Sequence, residues 1–99
     1  MIILAGTIRI SVGKRAAAQA ALARMVEATR AESGCIEYAF AFDVLDEHLV
    51  RIFELFRDAE ALAAHRASAH MAEWRVAGAE LGIHDRNLHQ YEVSSSQAI

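Results

Sequence analysis

His65, His70 and Trp74 lie close together in the stretch from Phe53 to Trp74, and they are the residues of this chain best suited to chemistry. Histidine is the side chain whose ordinary titration falls near neutrality, so it moves protons at physiological pH. Tryptophan offers a flat apolar wall. Together they suit acid–base chemistry beside a planar aromatic ligand. On one unbroken helix, His65 and His70 would point about 140° apart. Asp58 and Ser68, however, are both of the N-cap type, so the segment reads as two helices with a break near Ser68 that lets the imidazoles converge. Beyond the break His70, Trp74, Ala77 and Leu81 recur at the spacing of one inward face, apolar except for His70.

Each candidate has a functional and a plain structural role. His65 is either a general base or substrate anchor, or a core histidine held by a hydrogen bond. His70 follows Ser68 at a helix start, where the dipole disfavours the imidazolium, and is either a neutral base or a partner of the cap. Trp74 stacks on a substrate or fills the core. Tyr38 and Phe40 share the apolar parity of a strand and are candidate cavity walls, with the Tyr38 hydroxyl available as a donor. Arg9, Arg51 and Arg86 either hold an anionic oxygen or pair with Glu37, Glu54 or Glu92 across a sheet. Glu54 shares a parity with Val50, Ile52 and Phe56, so it should be partly buried and partnered in a salt bridge or dimer contact. The spacings of His65, His70, His84 and His89 match no zinc-protease helix, and no metal is expected.

The elements that must position these residues follow from periodicity. Ile2, Leu4, Ile8, Ile10 and Val12 share one parity of a first strand. Lys14 to Ser33 is Ala-rich, with Ala18, Leu22, Met25, Val26 and Thr29 at helical spacing, and Gly34 is the expected left-handed C′ residue. Cys35 to Leu45 alternates, with Ile36, Tyr38, Phe40, Phe42 and Val44 on the apolar side. Asp46, Glu47 and His48 turn the chain into a strand apolar on both sides, which needs two covers: helices on one face and a partner subunit on the other. Gly82 stops the second helical region, Asn87 to Val93 forms a last strand, and a polar tail begins at about Ser94. The order strand, helix, strand, strand, helix, strand is the ferredoxin-like α+β arrangement.

Ninety-nine residues make one domain, spanning 1–99, and a 55% hydrophobic content favours a homodimer. A net charge of -3 excludes a nucleic-acid partner, which demands a basic face. The N-terminal apolar run is too short for a signal segment or membrane span. Cys35, the one cysteine, forms no internal disulfide and reads as a small buried strand residue in a cytoplasmic protein.

Three segments taken in order carry a resemblance: Glu-Ser-Gly-Cys-Ile-Glu-Tyr at 32–38, Phe-Glu-Leu-Phe-Arg-Asp at 53–58, and Ala-Leu-Ala-Ala-His-Arg-Ala-Ser-Ala-His-Met at 61–71. They resemble the antibiotic biosynthesis monooxygenase family, and within it the small bacterial quinol monooxygenase-like proteins, whose His-x4-His-Met pattern matches His65, His70 and Met71. The resemblance implies a dimeric α+β barrel. It also implies oxygenation of a quinol, anthrone or related polyphenolic aromatic by O2 as co-substrate, with no metal or flavin cofactor. Haem-degrading relatives carry an asparagine where this chain has Thr7 and a tryptophan where it has His65, which argues against haem degradation. An isomerase branch acts on a phosphorylated molecule, and no basic cluster for a phosphate is visible in the sequence. A non-enzymatic aromatic-binding or stress-response protein is the other alternative.

Overall fold

The computed structural model describes residues 1–99. The elements run β1 (Ile2–Arg9), α1 (Arg15–Arg30), β2 (Cys35–Phe42), β3 (Leu49–Phe56), α2 (Ala59–Arg66), α3 (Ala69–Leu81) and β4 (His84–Glu92). The sheet order is β2-β3-β1-β4, and every neighbouring pair is antiparallel. This is the ferredoxin-like α+β fold expected from the element order, with the second helical region in two pieces. No helix is long and apolar enough to cross a membrane.

Alternation places Ile2, Leu4 and Ile8 of β1 and Val50, Ile52, Glu54 and Phe56 of β3 on the helix-covered face of the sheet, where all are buried. Ala18, Leu22 and Met25 of α1 close over them. Fully burying a side chain such as Phe56 or Leu62 contributes about 1.5–3 kcal/mol, so this face dominates the stability of so small a domain. The opposite face carries Ile3, Ala5, Phe53 and Leu55, none fully buried, and the exposed Tyr91. No element of the chain packs over that face.

Several local expectations needed correction. Helix α1 ends at Arg30 with Ala31 in a right-handed conformation, and Gly34 is not left-handed. Gly34 is instead buried where a Cβ would collide with the Cβ of Ala61, so its small size lets the turn before β2 press against α2. A register irregularity between Cys35 and Glu37 shifts the start of β2. The shift leaves Ile36 exposed and Cys35 only half-buried, while Tyr38 is fully buried. Val12 and Val44 lie beyond the ends of their strands and are exposed for that reason. Gly82, by contrast, is left-handed and caps α3 as its position suggests.

Arg9 and Arg51 do pair, though with other partners than expected. Arg9 Nη1 lies 2.7 Å from Asp46 Oδ2 and Arg51 Nε lies 2.8 Å from Asp43 Oδ1. Both acids sit in the 43–48 connection, because the strand ends bring the arginines beside the turn rather than beside a glutamate of a neighbouring strand. These contacts hold both aspartates below the usual carboxylate range.

Candidate active site

The break between α2 and α3 builds the site. Asp58 caps α2 by accepting from the Ala61 N–H at 2.9 Å. Ser68 does the same for α3, accepting from the Met71 N–H, and its own hydroxyl donates to the His65 carbonyl at 2.6 Å. Two short helices thus meet at an angle that one continuous helix could not make. The His65 and His70 rings come to 5.8 Å between centroids, as a break near Ser68 requires.

What joins them is a residue outside the sequence-derived set. Glu32, in the turn after α1, presents Oε2 at 2.9 Å from His65 Nδ1 and 2.5 Å from His70 Nε2. A carboxylate only accepts, so Nδ1 of His65 donates to it, and in the neutral ring the lone pair then sits on Nε2. The sequence offered one signal for Glu32: an acidic residue just past a helix C-terminus, where the macrodipole disfavours it, calls for a compensating partner.

His65 is 2% exposed, between the rings of Phe56 at 5.0 Å and Tyr38 at 5.4 Å between centroids. Its Nε2 faces Glu54 Oε1 at 3.9 Å. Both residues line a cavity of about 450 Å³ between the sheet and α2–α3, whose walls include Tyr38, Phe40, Trp74 and Leu88. That volume falls within the range of small-molecule sites. Trp74 lies against Phe40 with centroids 5.9 Å apart, so one wall of the cavity is aromatic. His70 lies on the other side of the network and borders a separate hollow between α1 and α3, together with Arg24 and Glu73.

Glu54 is buried on the cavity side rather than on the bare face of the sheet. Burial pushes its carboxyl up to about 7, opposed by the charges of Arg86 and Arg66. Those two arginines and Arg75 also line the cavity. The basic cluster missing from the sequence reading therefore exists, drawn from two helices and a strand that are distant in the chain. Tyr38 stays a neutral donor, since burial and the Glu54 charge raise its phenol. Cys35 is raised in the same way by burial and then by Glu32, which leaves it without thiolate character.

The structure thus gathers His65, Tyr38, Phe40 and Trp74 around one cavity and connects His70 to it through Glu32. It does not bring Arg9 there, because Arg9 is held at the hairpin by Asp46. One carboxylate and three guanidinium groups, of which only Glu54 and Arg86 had been singled out, complete the polar lining, and Glu32 stands behind His65.

A buried imidazole tied at one nitrogen and facing an aromatic-walled cavity with the other can take and return a proton there. The antibiotic biosynthesis monooxygenase family model matches residues 1–77. The chain belongs to that family. A crystal structure of a candidate antibiotic biosynthesis monooxygenase from Deinococcus radiodurans is similar at a TM-score of 0.91 and 26% identity, covering 100% of this chain and 98% of that one. A Pseudomonas aeruginosa protein is similar at a TM-score of 0.85 and 28% identity, with 95% and 94% covered. An uncharacterised Synechocystis protein is 26% identical over 98 residues, which is 99% of this chain and 67% of that protein. Family membership fixes the scaffold, while the reaction has to be argued from the cavity.

Proposed function

We propose that the protein is a cofactor-independent monooxygenase that oxidises a quinol, anthrone or related polyphenolic aromatic with O2. The observation that carries this reading is the His65 imidazole, anchored through Nδ1 to Glu32 with Nε2 at an aromatic-walled cavity. Dioxygen reacts slowly with closed-shell organics, so most oxygenases use a metal or flavin. A quinolate anion is electron-rich enough to pass one electron to O2 directly. The two radicals then combine into a carbon-bound hydroperoxide, which loses water to give the quinone with one oxygen atom incorporated.

His65 Nε2 takes the substrate proton in this scheme, and Glu32 stabilises the imidazolium that forms. Arg86 and Arg66 hold the developing anion. Trp74 and Phe40 set the plane of the ring and exclude water. His70 shares the Glu32 carboxylate and steadies it. The decisive measurement is oxygen uptake by metal-stripped protein with a panel of quinols and anthrones, run beside His65→Ala. Turnover that disappears in the variant supports the reading. No uptake with any of them, while aromatics still quench Trp74 fluorescence, makes the protein an aromatic-binding module instead.

The three cavity arginines favour a second reading, in which an anionic small molecule is isomerised with His65 as proton shuttle. Isomerisation without oxygen uptake distinguishes it. The uncovered apolar sheet face supports a homodimer, for which a standard interface buries about 1,600 Å². Sedimentation as a monomer at micromolar concentration would refute that assembly. A single unpaired cysteine fits a reducing, cytoplasmic setting.

A further inference from the structure

Glu32, His65 and His70 place three ligand atoms within 4.8 Å of one another. We propose that this cluster binds a divalent transition cation of the zinc class through Glu32 Oε2, His65 Nδ1 and His70 Nε2. Two imidazoles and one carboxylate are a borderline donor set, suited to zinc, cobalt, nickel or copper rather than to magnesium or calcium.

A tetrahedral cation at about 2.0–2.1 Å from each donor spaces neighbouring ligand atoms about 3.3 Å apart. Oε2 now stands 2.9 and 2.5 Å from the two nitrogens. The carboxylate retreats by less than about 1 Å, and the two ring nitrogens, which lie within 4.8 Å of each other, close by up to about 1.5 Å through the torsions of the part-exposed Glu32 and His70 side chains. Side-chain exposures of 19% for Glu32 and 21% for His70, against 3% for His65, give one rigid ligand and two at an entry path. A water can complete the fourth position, since Glu32 and His70 are part-exposed. An outer carboxylate is also in place, since Glu54 faces His65 Nε2, the nitrogen left free by coordination. Metal-bound histidines characteristically donate that second N–H to such a group.

Coordination changes what the cavity sees. In the hydrogen-bonded state Nδ1 carries the proton and Nε2 accepts. With a cation on Nδ1, the proton sits on Nε2 and points at Glu54, so the acceptor in the cavity becomes a donor. The cation thus silences His65 as a base. This consequence rests on the proposed oxygenase reading, whereas the binding site does not.

Titration of metal-stripped protein with Zn²⁺ by calorimetry, and with Co²⁺ by visible absorption, tests the site without reference to activity. One equivalent should bind, with ligand-field bands of a four- or five-coordinate centre. Both Glu32→Gln and His70→Ala should weaken binding at least about tenfold, as loss of a ligand does, with circular dichroism confirming that each variant folds. His84→Ala and His89→Ala, on the exposed strand β4, should leave it unchanged. Imidazole ¹⁵N spectra should show the His65 proton moving from Nδ1 to Nε2. Absence of stoichiometric binding with metal in large excess, or binding that survives both Glu32→Gln and His70→Ala, overturns the proposal.

Discussion

The two sides of His65 carry the same kind of residue in opposite circumstances. At the rim, Glu32 is held between two imidazoles with contacts of 2.9 and 2.5 Å. Inside the cavity, Glu54 has no charged partner nearer than His65 Nε2 at 3.9 Å, and burial moves its carboxyl to about 7. A carboxylate that is paired anchors an imidazole, whereas one that is buried without a close partner becomes a titrating group. One glutamate therefore positions the imidazole while the other sets the charge of the cavity.

Removing the residue between them should have the largest effect. His65→Ala is expected to lower oxygen uptake by about 10²–10⁴-fold, the usual contribution of a positioned acid–base group, as read with an oxygen electrode. Glu32→Gln should lower kcat by about 10-fold or more and leave KM nearly unchanged, because the amide holds the ring but does not stabilise the imidazolium. A loss confined to KM would assign Glu32 to substrate binding.

On the cavity side, Glu54→Gln should stabilise the protein. The folded state raises this carboxyl from its ordinary 4.5 to about 7, so it favours the protonated form. The contribution is fully present below pH 4.5 and is lost as pH rises through about 7, at a cost of at most about 3 kcal/mol. Glutamine does not ionise. The variant should therefore melt higher than wild type at pH 8 and level with it near pH 4, and an equal difference at both would refute the assignment. Gly34→Ala should cost about 1–3 kcal/mol by chemical denaturation, since the added methyl meets Ala61 and loosens the turn that carries Glu32. Smallest of all, Arg9→Ala should leave turnover unchanged and Tm nearly so, because its ion pair with Asp46 is only part-buried and Arg9 does not line the cavity.

Much of the scaffold was legible in the sequence. The parity of β1, the Ala-rich α1 and the caps Asp58 and Ser68 are local signals, read from residues a few positions apart. The same signals implied that His65 and His70 converge, because capping alone dictates where one helix stops and another starts. Glu32 was not legible as their partner, nor were Arg66 and Arg75 as cavity groups, since each acts on residues distant in the chain. The Gly34 reading went astray for a related reason: a glycine required by close approach looks, in one dimension, like a glycine required by a left-handed turn.

By itself, then, the order of apolar periods and caps determined the element sequence and the helix break, and the three segments at 32–38, 53–58 and 61–71 carried the resemblance to the family. Tertiary structure decided which charges meet: it set Glu32 between two imidazoles, drew Arg9 away to Asp46, and enclosed Glu54 in a cavity lined by arginines from three elements. The reason is range. Periodicity and capping act within a turn or two of chain, whereas desolvation and charge pairing depend on distances that exist only after the sheet and helices have packed.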